Sequence, residues 1–157
     1  MIKIKVVCVG NLKEQYLLSA QTEYSKRLGK FCKLDIVECQ EQKIDNANSV
    51  GSIQKALEQE AVLIQKHLSG YVIVLDVLGK QFTSEDFADI IQKTTLSDSQ
   101  ITFVIGSSHG LSDSIKQKAN LRLSFSKFTF PHQLMRVVLL EQIYRAMCIN
   151  NNVTYHK

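Results

Sequence analysis

A chain of 157 residues has the length of one domain, and its 45% hydrophobic content is enough to form a core. No apolar run approaches the roughly 20 residues that cross a bilayer, and the alternating N-terminus lacks the apolar block of a signal peptide. The net charge of +4 permits a polyanionic partner without requiring one, so we expect one cytoplasmic domain, residues 1–157, with no membrane partner.

Strand and helix patterns alternate through the first half of the chain. The β-branched run Ile2–Val9 predicts a strand. Apolar residues at helical spacing predict a helix from about Lys13 to Leu28, and Gly29 is a suitable stop. A second strand is predicted over Lys33–Glu38. The polar segment Gln40–Val50 has no periodicity and is predicted to be a mobile loop.

The middle of the chain continues this alternation. Ser52 is a plausible N-cap for a helix that ends at Ser69-Gly70. The continuous apolar run Tyr71–Leu75 predicts a strand covered on both faces. A further helix, capped by Thr83 or Ser84, is predicted to extend to about Lys93. The pattern indicates an α/β domain with a largely parallel sheet and helices on both faces.

The last third contains three pieces that suggest a site. The strand-like run Ile101–Ile105 ends in a small-residue turn, 106–110, and Leu123–His132 contains the only proline. The predicted helix Gln133–Ile149 is followed by the tail Asn150–Lys157. We interpret the first two pieces as backbone loops around one ligand and the tail as a lid. Ligands of open α/β sheets bind at the C-terminal ends of strands, although a turn without a ligand would look the same.

The cysteines and the glycine turns exclude several kinds of site. Cys8, Cys32, Cys39 and Cys148 lack metal-site and C-x-x-C spacing, so we interpret them as buried or idle thiols and expect no metal. The chain contains neither the Walker A pattern nor the dinucleotide fingerprint.

Three polar side chains of this region have alternative interpretations. Arg136 follows His132 by one helical turn, and spacing alone favours an exposed charge paired with Glu141 or an aspartate. Tyr155 and His156 either pin the tail or act at a site, and the sequence favours neither.

The motifs together resemble the ribosomal RNA large subunit methyltransferase H family, which belongs to the SPOUT class. The resemblance covers essentially the whole chain. It rests on Leu75-Asp76-x-x-Gly79-Lys80, Ile105-Gly106-x-x-x-Gly110-Leu111, Ser124-x-Ser126-Lys127-x-Thr129-x-Pro131-His132-x-x-x-Arg136, Glu141-Gln142-x-Tyr144-Arg145-Ala146 and Tyr155-His156-Lys157.

The resemblance implies a C-terminal trefoil knot, a homodimer and S-adenosylmethionine as cofactor. It implies methylation of N3 of a pseudouridine in large-subunit (23S) ribosomal RNA on the assembled ribosome. No metal is required, because the sulfonium is already a strong methyl donor. The enzyme must align the reactants and favour the deprotonated imide nitrogen.

The resemblance also assigns roles to residues. It places eleven residues at the cofactor: Leu75, Asp76, Gly106, Ser107, Gly110, Ser126, Lys127, Phe128, Thr129, Phe130 and Pro131. It places His132, Arg136, Tyr155 and His156 at the target nucleotide. Arg136 would stabilise developing negative charge or hold a phosphate, and either Tyr155 or His156 would relay the N3 proton.

Two departures from the family pattern leave rivals open. Ser107 stands where the resemblance implies a second glycine, and a positive φ there would cost roughly 1 kcal/mol. The segment 150–154 lacks the expected charged, glycine-containing turn, which affects the placement of the tail. The rivals are a related methyltransferase acting on transfer RNA and a ribosome-binding protein with a decayed cofactor pocket.

Overall fold

Five strands and five helices make up the fold in the computed structural model, which describes residues 1–157. All strands pair in parallel in one sheet of order β2-β1-β4-β3-β5. The prediction of an α/β fold with a largely parallel sheet is therefore confirmed. In chain order the elements are β1 Lys3–Val9, α1 Gln15–Leu28, β2 Lys33–Cys39, α2 Val50–Gln65, β3 Tyr71–Gln81, α3 Ser84–Ser97, β4 Gln100–Ile105, α4 Asp113–Lys118, β5 Leu121–Ser124 and α5 His132–Asn150.

Helices cover both faces of this sheet, as predicted. Alternate residues of β1 face opposite sides: Ile4 and Val6 belong to one core cluster, and Val7 and Val9 belong to another. The first cluster includes side chains of α1, α3 and α5, and the second includes side chains of α2 and α4. The central strand β4 is buried from Ile101 to Ile105. No helix combines the length and apolarity needed to cross a membrane.

Several predicted boundaries need correction. The N-cap of α2 is Ser49, whose side chain accepts a hydrogen bond from Ser52 N, so the Ser52 prediction is wrong. Helix α2 also ends at Gln65, before the predicted stop at Ser69-Gly70, whereas α3 extends beyond Lys93 to Ser97. The N-cap of α3 is Thr83, one of the two predicted residues, and its Oγ1 accepts from Asp86 N. The segment 40–49 is free of regular structure, as predicted.

The C-terminal ends of the parallel strands lie at one edge of the sheet, where the fold assembles its loops. Strand β3 continues past Leu75 to Gln81, and its pairing with β5 shifts register between Leu75 and Lys80. Residues 76–80, which follow the predicted strand Tyr71–Leu75, are therefore an irregular part of the same strand. The turn after β4, the loop after β5 and the first turn of α5 lie at the same edge.

Candidate functional site

A cleft of about 370 Å³ lies at this edge of the sheet, within the range of small-molecule sites. Its walls come from the irregular end of β3, from the turn after β4 and from β5 with the loop that follows. A lysine of α4 and two residues at the start of α5 complete it. The lining residues are 75–78, 105–111, 116, 123–126, 128–130, 132 and 135.

The turn after β4 is tight and requires glycine at its first position. The backbone N–H of Gly110 donates to the carbonyl of Ser107 at 2.9 Å. A Cβ on Gly106 would lie far inside van der Waals contact with the carbonyl oxygen of Gly110. Ser107 is buried, and its φ is not positive, since Asn152 is the only non-glycine residue with positive φ. The strain considered for Ser107 is therefore absent.

Two hydroxyl groups shape the loop after β5. Ser124 Oγ donates to the carbonyl of Ser126 at 3.1 Å, and Ser126 Oγ accepts from the N–H of Phe128 at 3.0 Å. These contacts tighten the loop, which lines the cleft with Phe128 79% exposed. The loop therefore presents both backbone polar groups and aromatic surface to a ligand.

Asp76 is the acidic side chain of the cleft. Its Oδ1 accepts from the N–H of Leu78 at 3.0 Å, and its Oδ2 lies 3.8 Å from Nζ of Lys116. The side chain of Asp76 is only 7% exposed, so these contacts hold it in place. Lys116 was not predicted from the sequence, because its short helix α4 has no detectable periodicity.

His132 and Arg136 occupy the first two turns of α5 but face different surroundings. His132 lines the cleft, and its Nε2 lies 3.7 Å from the position that a Cβ on Gly10 would take. Arg136 is 1% exposed and does not line the cleft. Its guanidinium donates to Glu38 Oε2 at 2.8 Å, to Gln21 Oε1 at 3.1 Å and to the carbonyl of Gly10 at 3.1 Å. The prediction of an exposed Arg136 paired with Glu141 or an aspartate is therefore wrong.

Tyr155 and His156 pin the tail to the distal half of α5 and to the first turn of α3. Tyr155 Oη donates to Glu141 Oε1 at 3.0 Å, and burial together with this bond raises the pKa of Tyr155. His156 lies 3.1 Å from Arg145 and 2.8 Å from Glu85. Glu141 is six residues after Met135, the last cleft residue of α5, so the Tyr155 contact lies about 9 Å along the helix axis from the cleft. Within one chain, the tail does not reach the cleft.

The structure thus brings most of the predicted residues together. Nine of the eleven residues assigned to the cofactor line the cleft, and Lys127 and Pro131 do not. Among the four assigned to the nucleotide, His132 alone lines it. Eleven further lining residues received no role from the sequence, and most are neighbours of the glycine and serine positions: Val77, Leu78, Ile105, Ser108, His109, Leu111, Lys116, Leu123, Ser124, Phe125 and Met135.

The acidic side chains, histidines and cysteines form no cluster of three or more that could hold a metal ion. All four cysteines are unpaired and buried, which confirms their interpretation as buried thiols. Burial raises the pKa of Cys8 to about 12, so this thiol stays protonated and unreactive at neutral pH.

Comparison with known proteins gives full-length matches. The family described as "Predicted SPOUT methyltransferase" matches residues 2–156. The chain is 45% identical to the "Ribosomal RNA large subunit methyltransferase H" of Malacoplasma penetrans, covering 99% of this chain and 100% of that protein. It is 48% identical to the protein of the same name from Clostridium botulinum strain 657, again over 99% and 100%.

Solved structures share the fold at low sequence identity. A putative methylase family protein from Neisseria gonorrhoeae is 14% identical with a TM-score of 0.58, covering 99% of this chain and 87% of that one. The tRNA (m1G37) methyltransferase from Aquifex aeolicus is 10% identical with a TM-score of 0.53, covering 91% and 69%.

Proposed function

The chain belongs to the SPOUT methyltransferase family, and from this membership we propose that it methylates N3 of a pseudouridine in large-subunit (23S) ribosomal RNA. The methyl donor is S-adenosylmethionine, and the acceptor is the assembled ribosome in the cytoplasm. The prediction of an RNA methyltransferase is confirmed at the level of the family. The observation that carries the proposal is full-length similarity to ribosomal RNA methyltransferases, combined with a cleft lined by most of the residues assigned to the cofactor.

The cleft suits S-adenosylmethionine in its chemistry. Side chains such as Leu75, Ile105 and Leu123 provide apolar walls for an adenine ring. The turn 106–110 brings backbone close to the ligand because its first position carries no side chain. Asp76 and Lys116 place a fixed negative and a fixed positive charge beside it, which suit the hydroxyl groups and the carboxylate of the ligand.

When bound, the cofactor supplies an electrophilic methyl group on a sulfonium. The N3–H of the pseudouridine must lose its proton as the nitrogen bonds to the methyl group. His132 lies at the α5 end of the cleft, and its imidazole can accept a proton. We therefore add His132 to Tyr155 and His156 as a proposed acceptor of the N3 proton. Arg136 supports this site from beneath, by tying α5 to the Gly10 carbonyl beside His132.

A homodimer would bring the tail to a cleft. Exposed apolar side chains surround the cleft mouth, including Leu78 at 88%, Phe128 at 79% and Phe130 at 43%. Clustered apolar exposure of this kind is typical of an interface. We propose that a second copy covers it and contributes Tyr155 and His156, since these residues lie far from the cleft of their own chain.

Mixing variants tests this shared site. His132→Ala and a chain truncated after Val153 should each be inactive alone. In mixed dimers, one cleft would combine an intact His132 with an intact tail, so random mixing should restore about a quarter of the wild-type activity. No restored activity from verified mixed dimers would contradict the shared site.

The trefoil knot is also part of the proposal. Its support is the family and the placement of the loop 125–130 beside residues 75–78 and 106–110 in one cleft. An experimental structure at a resolution that traces the C-terminal backbone would test it. A backbone trace in which the C-terminal segment does not pass through a loop of the chain would exclude the knot.

Two measurements test the cofactor and the product. Calorimetry should detect binding of S-adenosylmethionine, and Gly106→Ala should abolish it. After reaction with unmodified ribosomes, nucleoside analysis of 23S RNA should reveal 3-methylpseudouridine. Methylation of a uridine, or of transfer RNA alone, would overturn the proposed acceptor.

A further inference from the structure

The first turn of α3 is tied both to the tail and to the distal half of α5. Glu85, which received no role in the site from the sequence, lies with its Oε1 2.8 Å from Nε2 of His156. Beside it, Ser84 Oγ donates to Gln142 Oε1 at 2.9 Å. Two contacts therefore join α3 to the part of the chain beyond the cleft, and one of them runs through the tail.

Arg145 determines which nitrogen of His156 carries a proton. A guanidinium only donates hydrogen bonds, and Nη1 of Arg145 lies 3.1 Å from Nδ1 of His156. Nδ1 must therefore accept this bond, so it carries no proton. The proton of the neutral ring is then on Nε2, which donates it to Glu85 Oε1.

The two partners of His156 are themselves held in the states that these bonds need. Glu141 Oε1 accepts from Arg145 Nε at 3.1 Å and from Nη2 at 2.6 Å, which restricts the guanidinium and leaves Nη1 for His156. The bond from His156 lowers the pKa of Glu85, so this carboxyl group is ionised and accepts at neutral pH.

Neither nitrogen of His156 is open to a further proton in this arrangement. Nε2 already carries one, and protonation of Nδ1 would break its bond to Arg145 and place an imidazolium against a guanidinium. Tyr155 differs in this respect. Its Oη donates its proton to Glu141 at 3.0 Å, and the oxygen retains lone pairs that can accept a hydrogen bond.

We propose that Glu85 and Arg145 are positioning residues that hold His156 in the tautomer with its proton on Nε2, so that His156 anchors the tail and does not accept the N3 proton. The consequence for methyl transfer rests on the proposed function, whereas the tautomer does not. Of the three proposed acceptors, His132 and Tyr155 then remain. Tyr155 depends on the anchor for its place at the cleft of the second copy.

Nitrogen NMR of the histidine side chains tests the tautomer without requiring activity. The chain has four histidines, and the spectrum of His156→Gln identifies the signals of His156 by their loss. At about pH 7.5 we expect a protonated Nε2 and an unprotonated Nδ1 in the wild type, and a mixture of both tautomers in Glu85→Ala. A proton on Nδ1 of the wild-type ring, alone or together with one on Nε2, would overturn the inference.

Conservative variants separate anchoring from proton transfer. Removing a residue that accepts a proton in the reaction typically lowers the rate by about 10²–10⁴-fold. His156→Gln keeps a donor for Glu85 and an acceptor for Arg145, so we expect kcat on ribosomes to fall by no more than about threefold. His156→Ala keeps neither, and kcat should fall about tenfold because the tail is misplaced. A loss in His156→Gln as large as that in His156→Ala would overturn the inference.

Variants of α3 supply a matched control. Glu85→Ala should lower kcat about tenfold, whereas Glu85→Gln should stay within about threefold of the wild type, because an amide oxygen also accepts from Nε2. Asp89→Ala removes an exposed carboxylate one turn later, which pairs with Lys93, and should leave kcat unchanged.

Cofactor affinity should be unchanged in all of these variants, since the substituted residues do not line the cleft. Wild-type activity in Glu85→Ala would overturn the positioning role of Glu85. No methyl transfer by the wild type would contradict the proposed function, and the NMR spectrum would then decide the tautomer by itself.

Discussion

Replacement of Arg136 by alanine should lower the free energy of unfolding of the protein and also disturb its site. The guanidinium is 1% exposed and makes three charge-assisted hydrogen bonds, to Glu38, Gln21 and the Gly10 carbonyl. Removing one partner of a fully buried ion pair costs about 3–5 kcal/mol. The side chain of Glu38 is 43% exposed, so water replaces part of that contact, and we expect a loss of about 3 kcal/mol.

Urea unfolding followed by circular dichroism measures this loss. For a chain of this length, about 3 kcal/mol corresponds to a melting temperature lower by roughly 6–12 °C. Arg27→Ala is the matched control, since Arg27 pairs with Glu23 on the surface and its removal should shift the midpoint far less. Arg136→Lys keeps the charge without the fork of donors and should lie between alanine and wild type.

The result also separates two roles for Arg136. If Arg136 acts by holding the fold beneath His132, stability and methyl transfer should fall together in Arg136→Ala. An unfolding free energy within about 0.5 kcal/mol of the wild type would refute the reasoning from burial. Normal stability with lost methyl transfer would instead support direct contact of Arg136 with the nucleotide.

Three further perturbations follow from the same geometry. Gly106→Ala should leave a folded chain without cofactor affinity, because the new Cβ would meet the Gly110 carbonyl. A Cβ on Gly110 has open space, so Gly110→Ala should lower the free energy of unfolding by only roughly 1 kcal/mol, owing to its positive φ, and should keep cofactor affinity. Equal cofactor affinities of the two variants by calorimetry would contradict this. Tyr155→Phe should cost about 1 kcal/mol at pH 8. Because burial and Glu141 raise the folded-state pKa of Tyr155 above the unfolded value of about 10, its contribution is complete below that pH and is lost as pH rises through the folded-state pKa. Melting temperatures of both proteins should therefore converge at alkaline pH, and a constant difference would be inconsistent with it. The native protein should not react with a thiol reagent at pH 8, since all four cysteines are buried, whereas the protein in denaturant should react at four sites. Rapid labelling of the native protein would show instead that a thiol is accessible.

The regular core was predictable because local pattern and burial agree there. The run Tyr71–Leu75 is apolar at every position and forms the first part of β3, covered on both faces as expected. The apolar helix predicted after Pro131 likewise matches α5 to within one residue at each end. By contrast, α4 and β5 have six and four residues, too few for a period to emerge.

The site was predictable only in part, because its contacts join distant positions. The glycine and serine turns identify most of the cleft, since their residue types restrict the local backbone. The burial of Arg136 depends on the Gly10 carbonyl, 126 positions earlier in the chain.

Transfer of labelled methyl from S-adenosylmethionine to intact ribosomes that lack the modification tests the central claim most directly. Free 23S ribosomal RNA and transfer RNA should be assayed beside the ribosomes at the same concentration. The account predicts label on intact ribosomes and, after digestion, in 3-methylpseudouridine alone. Label on transfer RNA with none on ribosomes would contradict the proposed acceptor, and no label on any RNA would contradict the proposed activity.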